Sequence, residues 1–209
     1  DYKEWSNFLF EGEVSVNEGA FQVKFTVPKD ISYNYELGKI HMYAANQDRT
    51  KEAVGYYANL RVGGTDPFSV VDEVPPLADL FMDDESFVYG GRTGATTLFI
   101  AELFDDNGIN LTNTGIGHEI TLVVDGDNDN TKILNSYYTA ELDEYQSGRI
   151  EYQLKNLTEG QHHLKLTAWD THNNSVIEDL EFVVGSNDIK SYVYPNPFTK
   201  QTTVFIDHG

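Results

Sequence analysis

None of the 209 residues is a cysteine. That excludes disulfide staples, thiolate metal sites and any cysteine nucleophile within these residues. It leaves an extracytoplasmic home open, because β-sandwiches of this size bury enough surface without staples. Positive charge is scarce as well: 14 Lys and Arg stand against 34 Asp and Glu, a formal net charge of −20. So acidic a surface repels phosphate backbones and anionic lipid, which argues against nucleic-acid and membrane-surface binding and favours solubility and divalent cations. Long apolar runs are missing too, and no window reaches the length that crosses a bilayer as a helix. The opening "DYKEWSNFLF" lacks the basic start, apolar stretch and cleavage site of a signal peptide. With no initiating Met and the strand pattern "TTVFID" just before Gly209, the chain reads as an internal fragment.

What is present is alternation. Phe21, Val23, Phe25 and Val27 fall on one face of "AFQVKFTVP", and Ile120, Leu122 and Val124 on one face of "EITLVVDG". Ile150, Tyr152 and Leu154 do the same, as do Leu164, Leu166 and Ala168. Side chains two apart share a sheet face, so these segments predict half-buried strands, and Gly, Asn, Asp and Pro clusters separate them at sandwich spacing. No stretch carries an amphipathic helix; "PPLADLFMDDESF" has room for one turn or an irregular lead-in strand. A weak repeat links "GKIHMYAANQD" and "ANLRVGG" with "GQHHLKLTAWD" and "EDLEFVVGS", as if the last two strands of an immunoglobulin-like module were written twice. The expectation is an all-β chain of two immunoglobulin-like sandwiches, over 1–64 and 65–185, with the truncated start of a third β-domain over 186–209.

Asp125, Asp127 and Asp129 in "DGDNDNTK" match the opening of a calcium loop, whose hard cation takes carboxylate oxygens. Asn130 stands where such loops need Gly and Ser136 where they need Glu. A solvated hairpin tip explains the same residues without a metal, and weak Ca²⁺ binding stays open beside it. Asp105 and Asp106 precede an Asn107-Gly108 turn that accounts for them. Of the histidines 41, 118, 162, 163, 172 and 208, only His162 and His163 are adjacent. Strand geometry sends that pair to opposite faces, so they cannot chelate one ion. Neither a nucleophile elbow nor a standout carboxylate pair is present. Tyr137, Tyr138, Tyr145 and Trp169 are candidates for an interaction surface, with Trp169 out of phase with Leu166 and Ala168 and so turned outward, or covered by a neighbouring loop.

"GIGHEITLVVDGD", the long stretch from "YYTAELDEYQSG" to "AWDTHNNS", and "YPNPFT" resemble the C-terminal region of the type IX secretion sortases, gingipain-type cysteine peptidases of Bacteroidetes. "FTVPKDISYNYELGKIHMYAANQD" and "AVGYYANLRVGGTD" are similar to the segment before it. The resemblance implies a cell-surface protein on the outer face of the outer membrane that removes C-terminal signals from cargo and attaches the cargo to the surface. It implies a catalytic Cys and His in another domain, so no catalytic residue carries over to this chain and no cofactor is implied. It also implies outer-membrane partners, including a β-barrel of the PorV type and the parent's own peptidase domain, and makes "TTVFID" a strand without its domain, poorly packed or paired with a neighbouring molecule. The rival expectations are a carbohydrate-binding module, which needs aromatics arrayed on one open face, and an adhesin-type spacer stiffened by Ca²⁺.

Overall fold

The structure, a computed structural model, describes residues 8–29, 31, 37–64, 71–112, 117–185, 190–194, 197 and 200–207. "DYKEWSN" at the start, most of "YPNPFT", and His208 therefore lie outside the described residues. The chain divides into two compact units: Ile31–Asp72, and Asp1–Asp30 together with Glu73–Gly209.

In the first unit β1 (Gly38–Ala45) and β2 (Glu52–Leu60) form an antiparallel hairpin with Ala44 opposite Ala53. Its turn closes on itself, Asn46 N–H donating to Lys51 O at 3.0 Å and Lys51 N–H to Asn46 Oδ1 at 2.8 Å. Where the sequence suggests a sandwich, the described residues of this unit hold one two-stranded sheet with Ile40, Tyr43, Val54, Tyr56 and Tyr57 exposed.

The second unit holds the sandwich. Its strands are β3 (Leu77–Met82), β4 (Arg92–Thr93), β5 (Thr97–Phe104), β6 (Thr121–Val124), β7 (Lys132–Ile133), β8 (Tyr138–Ala140), β9 (Ser147–Leu154), β10 (Gly160–Trp169) and β11 (Ser175–Val184). One sheet runs β3-β5-β9-β8, the other β4-β11-β10-β6-β7. Every pairing is antiparallel except β4 with β11. Read as A-B-E-D against A′-G-F-C-C′, this is immunoglobulin-like topology. The stretch "PPLADLFMDDESF" resolves as the first strand rather than a helical turn. Asp83 then marks the crossing between sheets: at φ 63 it accepts Thr93 Oγ1 at 2.7 Å, Thr97 Oγ1 at 2.8 Å and Leu98 N–H at 3.1 Å.

The core fills from the alternating positions. Phe99, Ile120, Leu122, Leu134, Ile150, Leu164, Leu166, Ala168 and Phe182 are all fully buried between the sheets. Thus the phases expected for 120–124, 150–154 and 164–168 hold. The phase expected for 21–27 does not. Residues 21–28 join no strand, and Phe21, Val23, Phe25 and Val27 are 50, 43, 37 and 41% exposed. Alternation there produces an extended segment whose apolar row stays largely exposed, because among the described residues no second sheet lies opposite it.

Beyond the sandwich, β12 (Lys190–Tyr194) and β13 (Thr203–Asp207) make a separate antiparallel pair, Val193 opposite Val204. The strand in "TTVFID" therefore has a partner, its predecessor in the chain, which corrects the expectation of an unpaired strand. It stays outside both sandwich sheets.

Candidate interaction face at the loop end of the sandwich

Three loops meet at one end of the sandwich: the described residues 105–112 and 117–120 after β5, 141–146 after β8 and 170–174 after β10. Backbone bonds knit them. Asn110 N–H donates to Trp169 O at 2.8 Å, Thr171 N–H to Gly108 O at 3.0 Å, and Asp105 N–H to Gln146 O at 2.9 Å. Gln146 Nε2 adds a bond to Asp106 O at 2.6 Å. Gly108 has no room for a side chain: its φ is +93 and Tyr145 O would lie 2.9 Å from a Cβ. Asp105 and Asn107 form the expected turn, Asn107 N–H donating to Asp105 Oδ1 at 2.8 Å.

Asp170 is wholly buried and organises the loop after β10. Its Oδ1 accepts His172 N–H at 2.8 Å and Asn174 N–H at 2.7 Å, and its Oδ2 accepts Asn174 Nδ2 at 2.7 Å. Asn110, also wholly buried, accepts the backbone N–H and hydroxyl of Thr112. Its Nδ2 and the Nε1 of Trp169 are buried donors with no acceptor among the described residues, which is uncommon for native interiors.

Residues 8–29 run onto this same end. A tight turn at 17–20, with Glu18 at φ 52 and Gly19 at φ 85, folds the segment back and stacks Phe10 on Phe25 at 4.9 Å. Asp143, at φ 62, donates its N–H to Glu13 O at 3.0 Å and accepts Ser15 N–H and Ser15 Oγ, each at 2.6 Å. Those Ser15 bonds hold the Asp143 carboxyl below its usual pKa. Lys24 Nζ lies 5.0 Å from the centroid of the Tyr145 ring. Lys29 donates its N–H to Thr171 O at 2.9 Å and its Nζ to His172 O at 3.2 Å.

The aromatic candidates do not form one platform. Tyr137 is exposed and meets Tyr152 edge-on at 4.9 Å. Tyr138, expected on an interaction surface, is instead a core residue only 8% exposed; its ring lies across Gly148 and burial raises its phenol pKa. Its inward turn follows from pairing with core residue Ile150. Trp169 is half-buried under His118, the rings 4.2 Å apart, so a loop covers it. Tyr145 sits beneath Lys24 at the loop end.

The acidic candidates are likewise spread. Asp125, Asp127 and Asp129 do not bring their carboxylates within 4.8 Å of one another. Asp125 Oδ2 instead meets His162 Nδ1 at 2.7 Å and its Oδ1 accepts His163 N–H at 2.9 Å, and Asp127 Oδ2 accepts Asn130 Nδ2 at 2.6 Å. The segment turns β6 into β7 as a hairpin tip, with Asp125 and Gly126 at positive φ. His162 and His163 face opposite ways, as strand geometry requires: His163 pairs outward with Asp179 at 3.0 Å. His162 points in, 5% exposed and stacked on Phe182. Its Nε2 meets the carbonyl of Thr158 at 2.7 Å, so both ring nitrogens face acceptors and the imidazolium satisfies them best. Burial pulls its pKa down, but the Thr158 carbonyl and Asp125 outweigh that and leave it raised.

No family model matches the sequence, and no curated protein does. Among solved structures, the crystal structure of dimeric latent PorU from Porphyromonas gingivalis matches 92% of this chain at 38% identity, with a TM-score of 0.55. The chain is a PorU-related region. It spans 18% of that PorU chain's length. The likeness to PorU extends the resemblance read from the sequence.

Among described residues of this PorU-related region, no helix is long and apolar enough to cross a membrane, which leaves β-barrels unaddressed. Sequence reasoning missed the Asp143 clasp and the buried His162 pair. The first had no signal, since Ser15 and Asp143 are 128 residues apart. The second had one: His162 shares the phase of Leu164 and Leu166, which places it on the core face.

Proposed function

We propose that this chain is a non-catalytic β-sandwich region of a PorU-like cell-surface sortase, serving as a spacer and docking module. The parent would remove C-terminal signals from type IX cargo and attach the cargo to the outer face of the outer membrane, with a thiolate nucleophile in another domain. The observation that carries the reading is the 38% identity to PorU over 92% of the chain, in a sequence without a cysteine. A thioester intermediate needs a thiolate, so these residues have no means of forming one. Partners of the docking role would be outer-membrane secretion components, a PorV-like β-barrel among them, and the parent's peptidase domain.

The carbohydrate-binding alternative asks for stacked aromatics on one open face. Tyr137, Tyr138, Tyr145 and Trp169 offer one exposed ring, one core ring and two covered ones, so docking is preferred. The deciding experiment is affinity capture of the intact parent from cells, with and without this region. Loss of the secretion components on deletion supports docking, and unchanged capture would defeat it. Cleavage or transfer of a peptide by the purified 209-residue chain would overturn the non-catalytic assignment.

A further inference from the structure

We propose that residues 8–29 are a detachable strap that occupies, in cis, a binding face for an extended, lysine-bearing peptide at the loop end of the sandwich. This goes beyond the docking role and does not depend on which secretion components the parent meets.

Consider first what does not hold the strap. The packed core draws only on residues between Met82 and Val184, and residues 8–29 add nothing to it. Their apolar row, Phe21, Val23, Phe25 and Val27, is 37–50% exposed, with Phe25 stacked on Phe10 of the same segment, and Pro28 is the one buried residue of the strap. Within the segment the pairing is one bridge between Asn17 and Ala20, and it belongs to no sheet. Hydrophobic burial and ladder hydrogen bonds, the two usual ties of a β-segment, are both weak here.

What does hold it is a set of polar contacts at three loop positions. Asp143 engages Glu13 and Ser15, Tyr145 receives Lys24, and the carbonyls of Thr171 and His172 receive Lys29. The loop end thus presents a carboxylate, an aromatic face and two carbonyls, all of which attract N–H, O–H and ammonium donors. Asp143 supplies its N–H as well, so it reads an extended backbone on both its donor and acceptor sides. The Ser15 bonds and the Lys29 Nζ bond are solvent-exposed, and such bonds exchange readily with water. A ligand this loosely bound stays seated because it is tethered, which gives it a high effective concentration. Any peptide of the same chemistry that reached the face in trans would compete with it.

The test uses the full chain with Ser15→Ala and Lys29→Ala, which loosens the strap and leaves the face intact. A fluorescent peptide of residues 8–29 is titrated against this variant and the unmodified chain, and anisotropy is read. The expected result is binding about tenfold or more tighter to the variant, since its own strap no longer competes. Adding Asp143→Gly to the variant should abolish binding; glycine tolerates the left-handed backbone there, so the loop keeps its course. Equal affinity for both chains, no binding to the variant, or indifference to Asp143→Gly would each overturn the proposal. Hydrogen exchange on the unmodified chain gives an independent reading. The amides of Ser15 and Lys29 should exchange far faster than that of Leu166, and protection equal to Leu166 would mean the strap does not detach.

Discussion

The hairpins β1–β2 and β10–β11 are written in nearly the same pattern and meet opposite fates. Both are antiparallel, with alternating apolar residues and a polar turn. In the second, Leu164, Leu166, Ala168, Leu180 and Phe182 are buried, because β6 flanks β10 and the other sheet lies across from it. In the first, Tyr43, Val54 and Tyr56 are exposed, because among the described residues the two strands pair only with each other. Alternation therefore reports that a segment is a strand with two distinguishable faces. Whether either face is covered depends on neighbours far away in sequence.

The sharpest way to break this comparison is the same truncation in each hairpin. Leu166→Ala should cost about 2–5 kcal/mol, as for other fully buried leucines, seen as a lowered midpoint in urea. A loss much below that would mean the sandwich is not the stable body of the chain. Next in size comes pH. The folded-state pKa of His162 lies above its ordinary 6.5. The stability contributed by its pairing with Asp125 is thus complete below pH 6.5 and is lost as pH rises through the folded value. Melting temperature should fall over that interval, and His162→Gln should flatten the fall; an unchanged slope would remove the imidazolium from the account.

Val54→Ala, at a side chain 68% exposed, should change stability by no more than about 0.5 kcal/mol. A cost like that of Leu166 would show the first hairpin to be covered in solution. Smallest of all is the response to calcium. With the Asp125 oxygens engaged by His162 and His163, exchanging Ca²⁺ for a chelator should leave the melting temperature in place. A clear upward shift with Ca²⁺ would reinstate Asp125, Asp127 and Asp129 as ligands.

The sandwich strands were legible in the sequence wherever a periodic segment sat between two neighbours, as at Leu122, Ile150 and Leu166. They were misread where periodicity lacked an opposing sheet, as at Phe21 and Val27. Trp169 shows a subtler limit. Its outward phase is right, since it shares a face with Thr167, yet His118 from a distant loop covers it. The Asn107-Gly108 turn could be read locally because its bonds are local. The clasp at Asp143 could not, because a carboxylate in a loop looks the same whether it faces water or a serine 128 positions away.

The lengths of the outer strands carry a last consequence. The rims of the sandwich are formed by β4 and β7, two residues each, and by β8, three residues. Strands that short leave part of the next strand open: β11 meets β4 only at Val183 and Val184, and the run before them carries the exposed Glu178 and Asp179. Among the outer strands β3 is the longest, at six residues, and the exposed carboxylate of Asp79 stands in the middle of it. Acidic side chains spaced along the open edges thus keep such a domain from recruiting its own copies into fibres.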